Sequence, residues 1–447
     1  MGSGGSRLSE IVSADLEIMS APSKRWLVIA HCFNMDGQAA SHHITDKIPY
    51  LVEHGIEPVV LSAATGRKDQ DLEHHQVTSP APSGLRFELR HIIKMKYGNT
   101  SLGKFLKALF SVVLFPFYLI EKCLVRFDSQ WSWFISAERK GADLLKGRPF
   151  DLIYVSGGAS SAFLAAHRLS KRYGVPWIAE IYDPMVHESW LRGKMSYWWN
   201  AKIESLICRH AKAAFWYTRE ATNQAKQRHP HVGSRAQLMR PGMAPPDFGD
   251  IRYTKGKKLR ISYFGGLTPE RNLSLLGSAV KHLVAKDAEI ANLIEINVYG
   301  GSPDPLSFAS LEELPGGMVY YHGRLEHDPA SGKSGRQRVL EAMRRSDVLV
   351  LMHGKGEICK LYLPSKIYEY LWALRPVLLF TPVPKHWAEI LNERDHYIVD
   401  QNEESAGRTV LADILQDWRT GMLSDRDQAQ AHSVENAVRL LLNASVQ

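Results

Sequence analysis

At 447 residues, with 45% apolar and 23% charged side chains, the chain has the make-up of a folded globular protein and is too long for one ordinary core, so two domains are expected. Its formal charge of +8 favours anionic partners such as nucleotide diphosphates or anionic lipid headgroups; no zinc-finger spacing or RNP-type aromatic motif supports nucleic acid. The four cysteines, Cys32, Cys123, Cys208 and Cys359, never form C-x-x-C, which fits a reducing compartment and excludes a cysteine-based metal site.

No secretory signal opens the chain, and residues 1–24 read as a flexible leader with weak order to about Ser23. A first domain is expected over residues 25–240. It opens with a strand over 25–31, a polar loop containing Gly37 and Gln38, one helix from Ser41 to Glu53 with Ile44, Ile48 and Leu51 on one face, and a strand over 57–62. Strand, glycine loop, helix and strand make a right-handed βαβ unit. Residues 65–85, with Pro80 and Pro82, read as a surface loop.

An apolar and basic insertion follows over residues 90–135. Lys94, Lys96, Lys104 and Lys107 precede an apolar run over 108–120 that contains Pro116, and Lys122, Arg126, Trp131 and Trp133 come after it. The run is about 13 residues, short of the roughly 20 needed to span a bilayer. Two readings stand: a buried helix of the first domain, or an interfacial segment with its lysines on lipid phosphates.

Residues 150–158 form the next strand and glycine turn, and a helix is expected over 160–173, with Phe163, Leu164 and His167 inward and Gly174 as its cap. The strand over 175–184 carries Glu180 and Asp183 at its C-terminal end, where open parallel sheets bind ligands. A helix to His210, a strand over 213–218 and a helix capped by Thr218 complete the domain, and residues 241–258 read as a linker.

The second domain, expected over 259–425, restarts the pattern. A strand runs into Gly265 and Gly266, which allow close approach to a phosphate, and a helix starts near Leu273 with its N-terminus towards it. Strands follow over 295–301, ending in Tyr299 and Gly300, over 319–324 and over 347–352, with a polar stretch over 328–336 before a helix over 337–345. In the stretch Leu363-Pro364-Ser365-Lys366-Ile367-Tyr368-Glu369-Tyr370-Leu371, Pro364 and Ser365 suit a helix start, and apolar residues recur at helical period. Arg375-Pro376 stops that helix, and a buried strand follows. A helix tip with Lys366 suits a phosphate, and Glu369 one turn on can accept two ribose hydroxyls.

Pro364-Ser365-Lys366-x-Tyr368-Glu369-Tyr370-Leu371 followed by Arg375-Pro376-Val377 resembles the C-terminal signature of family 4-type retaining glycosyltransferases. Gly174-Val175-Pro176-Trp177-Ile178-Ala179 with Asp183-Pro184 resembles members that build bacterial cell-surface polysaccharides. The resemblance implies an α/β chain with the GT-B fold, two Rossmann-like domains facing a central cleft, and residues 426–447 ending in a helix packed back on the first domain. It implies a hexosyltransferase that moves a hexose from a nucleotide sugar, UDP or GDP, to a glycan or polyprenyl-linked acceptor with retention. No cofactor is implied, and no Asp-x-Asp pair suggests a diphosphate-bound metal. The donor side would be Gly265, Gly266, Arg271, Tyr299, Gly300, Ser365, Lys366 and Glu369. The family's second glutamate falls at Leu361, and nearby Glu357 is the substitute. The acceptor side would be Gly37, Gln38 and His42. Asp183 is the candidate acid/base or acceptor-orienting residue, against a turn-forming Asp-Pro. The implied location is cytoplasmic, peripheral on the inner face of the plasma membrane. Two rival readings share the fold: a sugar-nucleotide epimerase and a non-catalytic scaffold subunit.

Overall fold

The apolar runs become two parallel sheets. A computed structural model describes residues 24–35, 38–98, 100–187, 193–326, 328, 330–388, 390–391, 395–426 and 433–446. Residues 1–23 of the expected leader and Gly37 lie outside the described residues, and Lys24, expected as the leader's last residue, opens the first strand. The contacts divide the chain into two units: one reaches Trp216 and resumes over Thr222–Met239 and from Ala437, the other holds Tyr217–Ala221 and Arg240–Asn436.

The first unit contains β1 (Lys24–Ala30), α1 (Ala39–Thr45), α2 (Ile48–Glu53), β2 (Ile56–Ala63), β3 (Glu73–Val77), α3 (Pro82–Tyr97), α4 (Ser101–Leu124), α5 (Trp133–Lys146), β4 (Leu152–Ser156), α6 (Ser160–Tyr173), β5 (Trp177–Ile181), α7 (Lys194–His210), β6 (Ala213–Trp216), most of α8 (Arg219–Arg228) and β7 (Ala236–Leu238). The sheet order is β3-β2-β1-β4-β5-β6-β7, with every pairing parallel. β4 and β5 are buried along their whole length, as strands covered by helices on both faces must be. The order reverses between β1 and β4, so the crevice for a ligand lies beyond the C-terminal ends of those strands.

Three expectations for this unit are corrected. The single helix from Ser41 to Glu53 is two helices: Pro49 opens α2, and the Lys47 side chain between them turns inward to a buried carboxylate. The surface loop over 65–85 contains edge strand β3 and the start of α3. The polar string Glu-His-His-Gln-Val hides the strand, because His74 is buried by a 2.8 Å bond to Ser62 and an edge contact with Phe33. The apolar run is not confined to about 13 residues, nor is it core. It lies within the 24-residue α4, which is long and apolar enough to cross a membrane, and its most apolar stretch is almost wholly unburied. Pro116 is tolerated because it is exposed, so the carbonyl it leaves unbonded faces outward.

The second unit contains β8 (Leu259–Phe264), α9 (Ser274–Lys286), α10 (Ile290–Leu293), β9 (Ile294–Tyr299), α11 (Pro305–Glu312), β10 (Val319–Gly323), α12 (Gly335–Arg345), β11 (Val348–Met352), α13 (Lys366–Trp372), β12 (Val377–Thr381), α14 (Pro384–Trp387), β13 (Tyr397–Asp400) and α15 (Glu404–Thr420). The last helix, α16 (Val434–Val446), begins here and continues into the first unit, where the Lys212 ammonium donates to the Ser445 carbonyl at 2.8 Å. The parallel sheet order is β10-β9-β8-β11-β12-β13, reversing between β8 and β11. Side chains alternate between two cores: Val348, Val350 and Met352 join one with Ile261 and Trp418, while Leu349 and Leu351 join the other with Ile367 and Trp387. α13 starts at Lys366, not Pro364, and Ser365 makes no side-chain cap, because its own backbone is already helical.

Candidate active site

In the second unit the candidate donor residues gather beyond β8 and β11. Gly265 and Gly300 both take φ of 142°, and a Cβ on Gly300 would fall 2.0 Å from the Gly265 carbonyl oxygen. This close approach, with the Gly265 N–H donating to Tyr299 O at 2.9 Å, locks the loops after β8 and β9 together. Gly266 has open space where a side chain would be. Arg271 closes the same loop through paired backbone bonds with Thr268, 2.9 and 3.1 Å, and its side chain is exposed. Its positive charge acts on Tyr263 of β8, on His353 just after β11 and on Tyr362.

α13 brings Lys366 and Glu369 to the same crevice. Tyr370 pins the helix to the switch point: its hydroxyl accepts from the Phe264 N–H at 3.2 Å and donates to the Val350 carbonyl at 3.1 Å. Glu369 is buried, accepting from Lys366 Nζ at 2.6 Å on one oxygen and from the Arg336 guanidinium on the other. Burial alone would raise its carboxyl, but Lys366 and Arg336 outweigh it and hold the group below the usual carboxylate range. Glu369 is therefore an ionised acceptor with lone pairs to spare for hydroxyls. Because α13 is only seven residues long, its tip adds little field, and the side-chain cations dominate.

The remaining donor candidates sit apart from this cluster. Glu357 is exposed and paired with Lys360 in its own turn. Tyr299 is sandwiched between Phe264 and His322, with ring centres 4.5 and 4.3 Å away, so neither face is open to a base. Two residues were missed. Arg336 lay in a stretch read as loop, although Ser334 with Gln337 spells a capping box, which the structure forms, and that signal starts a helix at Gly335. His353 directly follows β11 and is fully buried. Burial, His386 and Arg271 lower its pKa to about 3, so it is neutral. Trp387 donates to its Nδ1 at 3.3 Å, which leaves the proton on Nε2, where no partner is found among the described residues.

The first unit has its own crevice beyond β4 and β5, a cavity of about 540 Å³. Gly157, Gly158, Ser160, Tyr182 and Asp183 form one wall, and Tyr118, Lys122 and Arg126, from the end of α4, form another. Glu180 and Asp183, adjacent in the sequence reading, part company. Glu180 is fully buried, taking Lys47 Nζ at 2.8 Å and the Tyr154 hydroxyl. Ser156 bonds the Tyr182 hydroxyl beside it, and burial followed by the Glu180 charge pushes both tyrosines well above their usual pKa. This network is a strut behind the crevice. Asp183 stands in front of it, open to solvent on one side, and loss of hydration alone lifts its pKa to about 6.

Of the acceptor candidates, Gln38 is exposed at the start of α1, and the Ala40 methyl two residues on would lie 3.4 Å from a Cβ on Gly158. His42 points outward, 4.0 Å from Asp46. It is His43 that turns in, its ring 4.8 Å from that of Tyr182, and burial followed by Lys47 and His42 keeps it neutral.

No protein-family model matches the chain, and no curated protein matches it. Solved structures do. The α,α-trehalose-phosphate synthase (UDP-forming) from Burkholderia vietnamiensis superposes with a TM-score of 0.59 at 12% identity, covering 95% of this chain and all (100%) of its own. Anabaena Alr3699/HepE, solved with UDP and glucose, gives 0.55 at 12%, over 94% and 98%. WaaG, a glycosyltransferase of lipopolysaccharide biosynthesis, gives 0.54 at 14%, over 94% and 99%. With its two parallel sheets, each reversing order at one switch point, the chain has the two-domain α/β fold of the GT-B glycosyltransferases.

Proposed function

We propose that the chain is a hexosyltransferase that takes a hexose from a nucleotide-diphosphate sugar and passes it, with retention and without a metal ion, to a glycan or polyprenyl-linked acceptor. The observation that carries this reading is the cluster at the second switch point: Arg271 over the glycine loop, and a buried, ionised Glu369 between Lys366 and Arg336. As the bond from the anomeric carbon to the diphosphate breaks, charge builds on the phosphate oxygens. Arg271 and Lys366 supply positive charge to neutralise it, the kind of stabilisation that usually dominates such reactions. Glu369 holds the ribose hydroxyls. In the first unit Asp183, ionised above about pH 6, orients the acceptor hydroxyl.

The exposed α4, with cations near both ends, supports peripheral attachment to an anionic membrane, the inner face of the plasma membrane in this reading. Incubating the protein with a panel of UDP- and GDP-sugars tests the reading. Release of free nucleotide that accelerates with acceptor is expected, and the anomeric configuration of the product reports retention. Epimerised nucleotide sugar formed without acceptor would overturn it in favour of an epimerase, and no turnover of any donor would favour a scaffold.

A further inference from the structure

One helix supplies both an exposed apolar surface and a wall of the first unit's cavity. From Leu102 to Ile120, α4 exposes large apolar side chains, among them Phe105, Val112, Val113 and Phe117. Its last turn carries Lys122 into the cavity beside Tyr118, and Arg126 follows. The apolar path from Leu102 to Lys122 is about 30 Å at the rise of an α-helix. This wall carries two cations beside the Asp128 carboxylate, which offsets part of their charge. Lys122 Nζ donates to a carbonyl, Phe127 O at 3.2 Å, and no carboxylate pairs with Arg126 among the described residues. Asp128 also faces Lys122, but its carboxylate accepts from the Ser160 hydroxyl and, at 2.9 Å, from the Gln130 N–H. The same cavity is lined by the backbones of Gly157 and Gly158 and by Asp183.

A free glycan has no use for the apolar path, and a bare anion has none either. An amphiphile uses both parts. We propose that the acceptor is a sugar carried on a lipid phosphate or diphosphate, with the lipid chain along α4, the phosphate on Lys122 and Arg126, and the sugar's reacting hydroxyl towards Asp183. This rests on the glycosyltransferase reading and narrows its acceptor to the lipid-linked class. Such a lipid lives in the bilayer whose surface α4 would occupy, so attachment and substrate capture are one event.

Phe127 lies between Trp198 and Trp199, ring centres 6.2 and 4.6 Å away, and Trp199 donates to Ser160 at 2.8 Å, so tryptophan emission reports the cavity. The full chain is titrated with geranyl diphosphate, inorganic pyrophosphate and geraniol, while calorimetry follows UDP and GDP binding separately. Geranyl diphosphate should bind at least tenfold tighter than either fragment. K122A/R126A should weaken it tenfold or more with nucleotide affinity unchanged, which also certifies the fold, and K122R/R126K should restore most of it. Pyrophosphate binding as well as geranyl diphosphate, no binding of the latter, or an indifferent K122A/R126A variant would each overturn the proposal. Absence of nucleotide binding by the unaltered protein would instead strike the reading beneath it.

Discussion

Asp183 and Glu180 are three residues apart in sequence and have opposite fates. Glu180 ends inside the sheet as the acceptor for Lys47 and Tyr154; replacing one member of such a buried pair costs about 3–5 kcal/mol. Among the described residues no cation pairs with Asp183, and loss of hydration raises its pKa to about 6. Only its ionised form can take up or orient an acceptor proton, so the acceptor kcat/KM should fall about tenfold per pH unit below 6 and level off above. Asp183→Asn should remove that acid limb and lower the plateau by a factor on the order of 10²–10⁴, the usual contribution of a general base. An unchanged limb in the variant would assign the titration to another group. The pairing of Lys366 with Glu369 was legible, because the two lie one helical turn apart. Arg336 was not, because it arrives from α12 and only the sheet order brings it there. His353 was likewise hidden: nothing local distinguishes it from the apolar strand it follows.

Strand positions were legible wherever both faces of a strand are buried, since β11 is an unbroken apolar run and β4, β5 and β12 are interrupted by a single polar residue each. β3 was not, because it is an edge strand whose partners make up for its polarity. The α3–α4 hairpin was half legible: composition marked it as unusual but could not say which face met solvent. Two carboxylates hold its helices to each other and to the segments that flank it. Glu88 on α3 accepts from the Ser79 N–H at 2.8 Å and from its hydroxyl at 2.6 Å. Glu121 on α4 accepts from the Ser83 N–H at 2.7 Å, from its hydroxyl at 2.5 Å and from Trp131 Nε1 at 2.7 Å. Glu121→Ala strands those donors in a buried place and should cost about 2–4 kcal/mol, read as a lower denaturant midpoint with unchanged slope. A midpoint shift under about 0.5 kcal/mol would show the hairpin to be held otherwise. Seating six of the exposed side chains of α4 in lipid is worth on the order of 10 kcal/mol. Val113→Asp with Phe117→Asp should therefore abolish pelleting with anionic liposomes and leave the soluble fold intact, because both residues are exposed. Equal pelleting of variant and parent would refute the membrane role of α4.

For the molecule as a whole, the repeat of strand, glycine loop and helix was enough to expect two Rossmann-like halves, and each sheet has the doubly wound order that such repeats produce. The candidate residues Arg271 and Glu369, far apart in sequence, lie on the segment after β8 and on α13, which Tyr370 ties to β8 and β11 where the second sheet reverses its order. The charge of +8 suits both an anionic donor and an anionic surface, so raising salt should weaken liposome binding more than binding in the half-buried donor crevice. The central claim is that this crevice holds a nucleoside diphosphate by Arg271, Lys366 and Glu369. Calorimetric titration of the parent, Arg271→Ala and Glu369→Ala with UDP and GDP tests it most directly. Each variant should bind the preferred nucleotide tenfold or more weakly, as expected for the loss of a charged hydrogen bond; equal affinity in the parent and both variants would contradict the account.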